Sequence, residues 1–353
     1  MTEPPWWHLA QSGEMDRRAE ALEALLSPCR LCPRACGALR DSGQLGVCRT
    51  GPEPAFASAA PHFGEEPPLS GTLLPRPPGL GNVFFTGCNL ACLACQNASI
   101  SQGPTPGAFR GTHALADACV ALQDRGCHAI GFVSPTHQAP GILRALAEAG
   151  RKGLRIPVVW NSNAWETLEM LRVLDGIVDV YLPDLKYADD ASARLCSGVD
   201  GYVATARSAI LEMARQVGVR PVLDERGLLR RGLLIRLLVL PNGLAGVEDS
   251  LAWIASELGT GVALSVMSQY WPAHRAAEEP LLSRSLHRLE WDRVLDRLDA
   301  LGFEHGWVQP FEDDAAACYR PDFDDPAGPF PDAADWGDGS DVFAPPGGGR
   351  RRP

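Results

Sequence analysis

The chain has 353 residues and a net charge of −11, from 43 acidic and 32 basic side chains, a balance that repels phosphate on average and argues against non-specific nucleic-acid binding. Its 45% hydrophobic content is that of a globular protein, enough for one large α/β barrel or two ordinary domains. No apolar run reaches the length of a membrane span, since the longest, Leu233 to Leu240, is broken by Arg236, and the amino-terminal stretch lacks the basic-then-apolar pattern of a secretion signal, so the expected location is the cytoplasm.

Glu14 to Leu26 carries Ala19, Leu22, Leu25 and Leu26 at helical spacing, and Pro28 ends that run. A loop rich in Gly, Arg and Cys follows. From Thr50 to Gly81 the chain is rich in Pro and Gly with little periodicity, which predicts an extended segment laid over a larger body. Beyond Gly81, short β-rich runs alternate with helical ones. The expected strands are Val83–Thr86, Ala129–Val133, Pro157–Trp160, Val178–Leu182, Leu233–Leu240 and Val262–Met267. Between them lie helical stretches such as His113–Gln123, Gly141–Ala149, Glu166–Leu174, Ala204–Val217 and Val247–Leu258, and Ser285–Leu301 closes the series with Gly302 as its stop. Six such alternations predict an α/β fold, a parallel sheet covered by helices. Right-handed crossovers would curl it into a full or partial barrel with functional residues at the carboxyl ends of the strands. From about Pro321 the composition turns to Asp, Pro and Gly, which cannot bury enough apolar surface to fold. The expected organisation is therefore a Cys-rich amino-terminal extension (1–80), a partial (β/α)6 barrel (81–320) and a disordered tail (321–353).

Eleven cysteines are present, and seven fall in two clusters. In a chain kept in a reducing compartment, clustered thiols read as metal ligands before disulfides. The other four, Cys119, Cys127, Cys196 and Cys318, are expected to be small core or surface residues.

Cys88, Cys92 and Cys95 stand in C-x3-C-x2-C spacing directly after the first strand of the β/α series. Three thiolates can hold three irons of a 4Fe-4S cubane and leave the fourth iron open. An open iron can be chelated by the amino and carboxylate groups of S-adenosylmethionine (SAM), whose reductive cleavage yields methionine and a 5′-deoxyadenosyl radical able to abstract hydrogen. The same spacing in isolation also suits a zinc loop. The amino-terminal set, Cys29, Cys32, Cys36 and Cys48, has C-x2-C-x3-C-x11-C spacing. Four thiolates suit either a closed zinc site or an auxiliary iron–sulfur cluster, and spacing does not separate the two. A fully ligated site has no open position, so its role would be structural or in electron transfer.

The segments CRLCPRACG, HFGEEPPLSG, FFTGCNLACLACQN, FVSPTHQAP, WNSNAWETLEMLRVLDGIVDVYLPDLKY, LVLPNGLAG and SQYWPAHRA, spread from Cys29 to Gln309, carry a resemblance to the radical SAM superfamily. They are most similar to a PflX-like branch related to pyruvate formate-lyase activating enzymes. The resemblance implies SAM held by strand ends of a partial barrel, with contacts expected from Ser134, Thr136, Asn161, Asn163, Asp184, Lys186 and Arg236. It also implies reduced flavodoxin or ferredoxin as electron donor and a glycyl radical enzyme as substrate. Two positions depart from the pattern. Ala94 stands before the third cysteine where relatives have an aromatic residue, and Leu237 follows the strand-five arginine where the branch tends to have His. Two other classes of function remain open on the residues alone: a non-catalytic iron–sulfur electron carrier, and a zinc-dependent interaction module.

Overall fold

The computed structural model describes residues 3–103, 108–311 and 321–323. The rest of the expected disordered tail, and Cys318, lie outside the described residues. Among the described residues ten strands form one sheet: β1 (Ala55–His62), β2 (Leu80–Phe85), β3 (Phe109–Arg110), β4 (Ile130–Val133), β5 (Val158–Ser162), β6 (Val180–Pro183), β7 (Val222–Leu223), β8 (Leu229–Leu238), β9 (Ala263–Met267) and β10 (His305–Val308). Their order is β10-β9-β8-β6-β5-β4-β2-β1-β3, with β7 attached to β8. From β2 to β10 every neighbouring pair is parallel.

The six expected strands are present as β2, β4, β5, β6, β8 and β9, and β10 adds a seventh to the parallel series. That strand is short, and its two leading residues, His305 and Gly306, carry no apolar alternation from which to read it. The segment expected to lie extended over the body contains β1, which pairs antiparallel with β2 through Phe56↔Phe85 to His62↔Leu80. It was not visible as a strand because Ala-Phe-Ala-Ser-Ala-Ala-Pro-His has little β-branched content. A further helix at Pro5–Gln11 precedes the expected one, which runs Glu14–Glu23.

Period-two alternation sorts each strand's side chains onto two faces. One face carries Val83, Phe85, Ile130, Phe132, Val158, Trp160, Leu233, Ile235 and Leu237 into the main core beneath the helices. The helix Ala139–Lys152 is buried almost all round. It is sandwiched, because the amino-terminal helices cover its outer side. Trp6 is fully buried there and its indole donates to the Ile156 carbonyl at 3.2 Å. Gly150 permits this approach, since a Cβ there would stand 3.0 Å from Ala10 Cβ. Burying a side chain the size of Leu contributes roughly 1.5–3 kcal/mol, so this layer ties the amino-terminal helices firmly to the sheet.

The other face bears a second, smaller apolar cluster: Leu80, Ala129, Val159, Val180, Leu182, Leu229, Leu234 and Ala263, closed by Leu69 from the short helix Pro67–Ser70. Farther along the same rows the residues become polar. Residues of β1, β2, β4, β5, β8 and β9 all line one cavity, so the sheet curls around it as a partial barrel. Its path remains open between β3 and β10.

Candidate functional site

The cavity has a volume of about 210 Å³. Its polar wall follows from the strand rows. Asn82, Asn161, Asp184, Arg236 and Met267 share the inward parity of Leu80, Val159, Leu182, Leu234 and Ala263, and all five line the cavity. Asn82 Oδ1 is buried without a hydrogen-bond partner. It lies against Gly131, where a Cβ would stand 2.2 Å away, so glycine at that point of β4 leaves the room the amide occupies.

The cysteine end is built on the loop that leaves β2. Cys88, Cys92 and Cys95 all line the cavity. Each sulfur has a polar neighbour: Asn163 Nδ2 lies 3.7 Å from Cys88 Sγ, Ser197 Oγ donates to Cys92 Sγ at 2.9 Å, and Ser101 Oγ lies 3.3 Å from Cys95 Sγ. Burial, reinforced by the Cys92 and Cys95 thiols, pushes Cys88 up to about 12. Burial and Cys92 raise Cys95 likewise. The neighbouring thiols therefore stand close enough to oppose ionisation of Cys88 and Cys95, and a cation among them reverses that cost. Among the described residues no three His, Cys, Asp or Glu side chains converge on a position for one metal ion. A cubane asks for something else, since each thiolate takes a separate iron. Soft sulfur donors, one loop and one cavity end fit that group.

The opposite wall is a buried ion cluster. Arg236 reaches Glu65 at 2.8 Å, Glu66 at 3.0 Å and Asp184 at 3.7 Å. Gln269 Nε2 donates to Glu65 at 2.6 Å, and Ser265 Oγ donates to Glu66 at 2.7 Å. Burial would raise both carboxyls. Arg236, with His62 and Gln269, holds Glu65 down at about 2, whereas burial and the Glu65 charge leave Glu66 above the usual carboxylate range. Both glutamates have positive φ, 40° and 23°, a conformation costly for residues with a Cβ and maintained here by the ion cluster they form. Lys186 pairs with Asp184 at 2.7 Å. Burial works against its charge, but Asp184 and Cys92 keep its pKa above the ordinary lysine value.

Of the seven expected SAM contacts, Ser134, Asn161, Asn163, Asp184, Lys186 and Arg236 line the cavity. Thr136 is the exception: it is buried and its hydroxyl donates to Glu166 at 2.8 Å. Asn163 is committed to the cysteine loop, donating to Asn89 Oδ1 at 2.7 Å and accepting from the Trp165 amide. Arg236, expected to pair with a carboxylate of SAM, is already paired with Glu65 and Glu66. Glu65, Asn82, Gln269 and Cys196 are among the wall residues that escaped the sequence reading. Two adjacent acids in a Pro-rich segment with few other charges were the available clue to Glu65. Cys196 is expected from the sequence to be a small core or surface residue. It lines the cavity, and burial together with Cys92 raises its thiol to about 12.

The amino-terminal cysteines Cys29, Cys32, Cys36 and Cys48 line a separate small pocket with Arg34, Arg40, Asn89 and His137. Cys29, Cys32 and Cys48 are buried and Cys36 is exposed.

No family model matches the chain. An uncharacterised protein of Methanocaldococcus jannaschii is 29% identical over 297 residues, 80% of this chain and 77% of its relative. Among solved structures, native anSMEcpe with bound AdoMet is similar over 61% of this chain, with 13% identity and a TM-score of 0.41. The polyhistidine-tagged form of that protein with bound AdoMet gives 63%, 13% and 0.43, and TYW1 with a lysine-pyruvate adduct gives 67%, 14% and 0.39. The chain spans 57% and 60% of the two anSMEcpe chains, and 77% of TYW1. No helix among the described residues is long and apolar enough to cross a membrane.

Proposed function

We propose that the chain is a radical SAM enzyme whose reaction takes place in the barrel cavity. The observation that carries this reading is the joining of Cys88, Cys92 and Cys95 to a cavity of about 210 Å³ with a polar wall. A simple electron carrier needs the cysteines but not the cavity. Cys88, Cys92 and Cys95 would hold three irons of a cubane and leave the fourth without a protein ligand, and all three line a cavity in which a small molecule fits. When bound, a 4Fe-4S cluster supplies the electron that splits SAM into methionine and a 5′-deoxyadenosyl radical.

The chain's own residues do the rest. Asn163 and Asn89 fix the loop bearing Cys88, and Ser197 and Ser101 place polar hydrogens beside the other two sulfurs. Ser134, Asn161, Asp184 and Lys186 offer hydroxyl, amide and charged groups for the amino acid and ribose parts of SAM. Met267 and Leu238 supply apolar wall, in keeping with the missing aromatic residue at Ala94. Arg236 positions Glu65 and Glu66 rather than the cofactor. By the family resemblance, the hydrogen donor is a glycine of a partner glycyl radical enzyme, the electron source is reduced flavodoxin or ferredoxin, and the reaction runs in the cytoplasm.

The test is anaerobic reconstitution with iron and sulfide, followed by dithionite and SAM. Formation of 5′-deoxyadenosine and methionine is expected, with loss of at least about a hundredfold in Cys92→Ala, because a missing ligand removes the cluster itself. Undiminished cleavage in that variant removes the assignment.

A further inference from the structure

We propose that Cys29, Cys32, Cys36 and Cys48 hold a second iron–sulfur cluster, which takes electrons at the protein surface and passes them to the Cys88 site. The two cysteine sites are in direct contact. Gly87, the residue before Cys88, has φ +75° and packs against the Cys48 carbonyl so closely that a Cβ would lie 2.1 Å from its oxygen. Asn89, the residue after Cys88, lines the amino-terminal pocket, and Arg34 Nε donates to its carbonyl at 2.6 Å. The residues on both sides of Cys88 therefore touch the amino-terminal cysteine segment, Gly87 through the Cys48 carbonyl and Asn89 as part of the pocket wall. A purely structural ion has no need of that adjacency.

The surroundings suit an anionic group. Arg40 is 1% exposed, lines the pocket and donates through Nη2 to the Gly51 carbonyl at 2.6 Å. Four thiolates around a metal centre carry net negative charge, and a buried guanidinium beside them offsets it. His137, also 1% exposed, lines the pocket from the other side with Nδ1 lacking a hydrogen-bond partner, an orphaned polar atom where a ligand would sit. Zinc is redox-inert and draws its ligands onto one point. A cubane instead spreads four thiolates over four irons and can carry an electron. Cys36 is exposed while the other three are buried, so one corner of this site faces solvent and the opposite side abuts the Cys88 loop.

The electron balance is simple. A low-potential one-electron carrier in solution is oxidised by one electron, the amino-terminal cluster is reduced by it, and it is reoxidised as the electron passes inward. No bond forms and no proton has to move. The inward step rests on the reading of the Cys88 site proposed above; the metal content of the amino-terminal site does not.

The experiment uses the full chain, reconstituted anaerobically, with iron, sulfide and zinc counted and the reduced protein examined by electron paramagnetic resonance. About eight iron atoms per chain are expected, with magnetic broadening from two nearby reduced clusters. The Cys88→Ala/Cys92→Ala/Cys95→Ala variant is expected to keep about four irons, as is Cys36→Ser/Cys48→Ser, each with one unbroadened signal. In Cys36→Ser/Cys48→Ser, reduction of the remaining cluster by reduced flavodoxin, followed by stopped flow, is expected to slow more than about tenfold, while dithionite reaches the same end point. One zinc per chain beside about four irons in the wild type overturns the proposal. So does an unchanged rate of reduction by flavodoxin in the half-loaded variant. If instead the triple variant keeps its iron while the wild type fails to cleave SAM, the second cluster stands and the reading of the Cys88 site falls.

Discussion

The two walls of the cavity are built on opposite principles. At the carboxylate wall, Glu65, Glu66 and Arg236 satisfy one another, with Ser265 and Gln269 taking up further lone pairs. At the cysteine end, burial and the neighbouring thiols raise Cys88 and Cys95, and the sulfurs are touched by serine, asparagine and the Leu90 amide. A network paired mostly within itself fixes shape, and thiols packed against one another gain most when a metal arrives. The contrast places Arg236, expected to contact SAM, in the paired wall of the cavity with Glu65 and Glu66.

Several changes would break or sharpen that contrast. The largest effect is expected from Arg236→Met, which strands two buried carboxylates. Removing one partner from a buried ion cluster costs roughly 3–5 kcal/mol, read from the midpoint of urea unfolding. A loss below about 1 kcal/mol would mean that the glutamates are not held by this arginine. Next is Gly87→Ala, which places a Cβ against the Cys48 carbonyl at a left-handed φ. At least about 2 kcal/mol is expected from strain and overlap together, with reduced iron content at both cysteine sites.

Acid should expose the carboxylate wall selectively. Glu65 sits near 2 in the folded chain against an ordinary value of 4.5. Between those values the unfolded chain takes up a proton that folded Glu65 does not. Its contribution is thus present above about pH 4.5 and is lost as the pH falls towards about 2, at up to about 1.4 kcal/mol per pH unit. Glu65→Gln should flatten that part of the stability curve, and an identical curve would show that the burden lies on other groups. The smallest effect is expected from Ser197→Ala, which removes the 2.9 Å hydrogen bond to Cys92 Sγ. About 0.5–1.5 kcal/mol of stability is at stake, together with a small downward shift in the potential of a cluster bound there, since fewer hydrogen bonds reach its sulfur.

Much of the barrel was legible because parallel strands buried on both faces appear as apolar runs punctuated by helices. Leu233–Leu240 announced β8 in this way, although the strand itself is Leu229–Leu238. The amino-terminal third was harder to read. β1 joins the sheet through backbone pairing with β2, which leaves no trace in side-chain periodicity. Cysteine spacing pointed to both clusters, because local chelation requires local spacing. Cys196 had no such partner in sequence, and its nearness to Cys92 arises from the helix Asp190–Ser197 folding over the loop.

By itself, the sequence determined the β/α order, the cysteine loop after β2 and the chemistry of its donors, because these depend on neighbours a few positions apart. The tertiary structure alone decided that Glu65 and Glu66 hold Arg236 across about 170 residues, that the Thr136 hydroxyl is turned to Glu166, and that Gly87 packs against the Cys48 carbonyl. Those contacts form only when distant strands are curled around one space, and burial there makes a charge cling to whatever partner the fold brings to it.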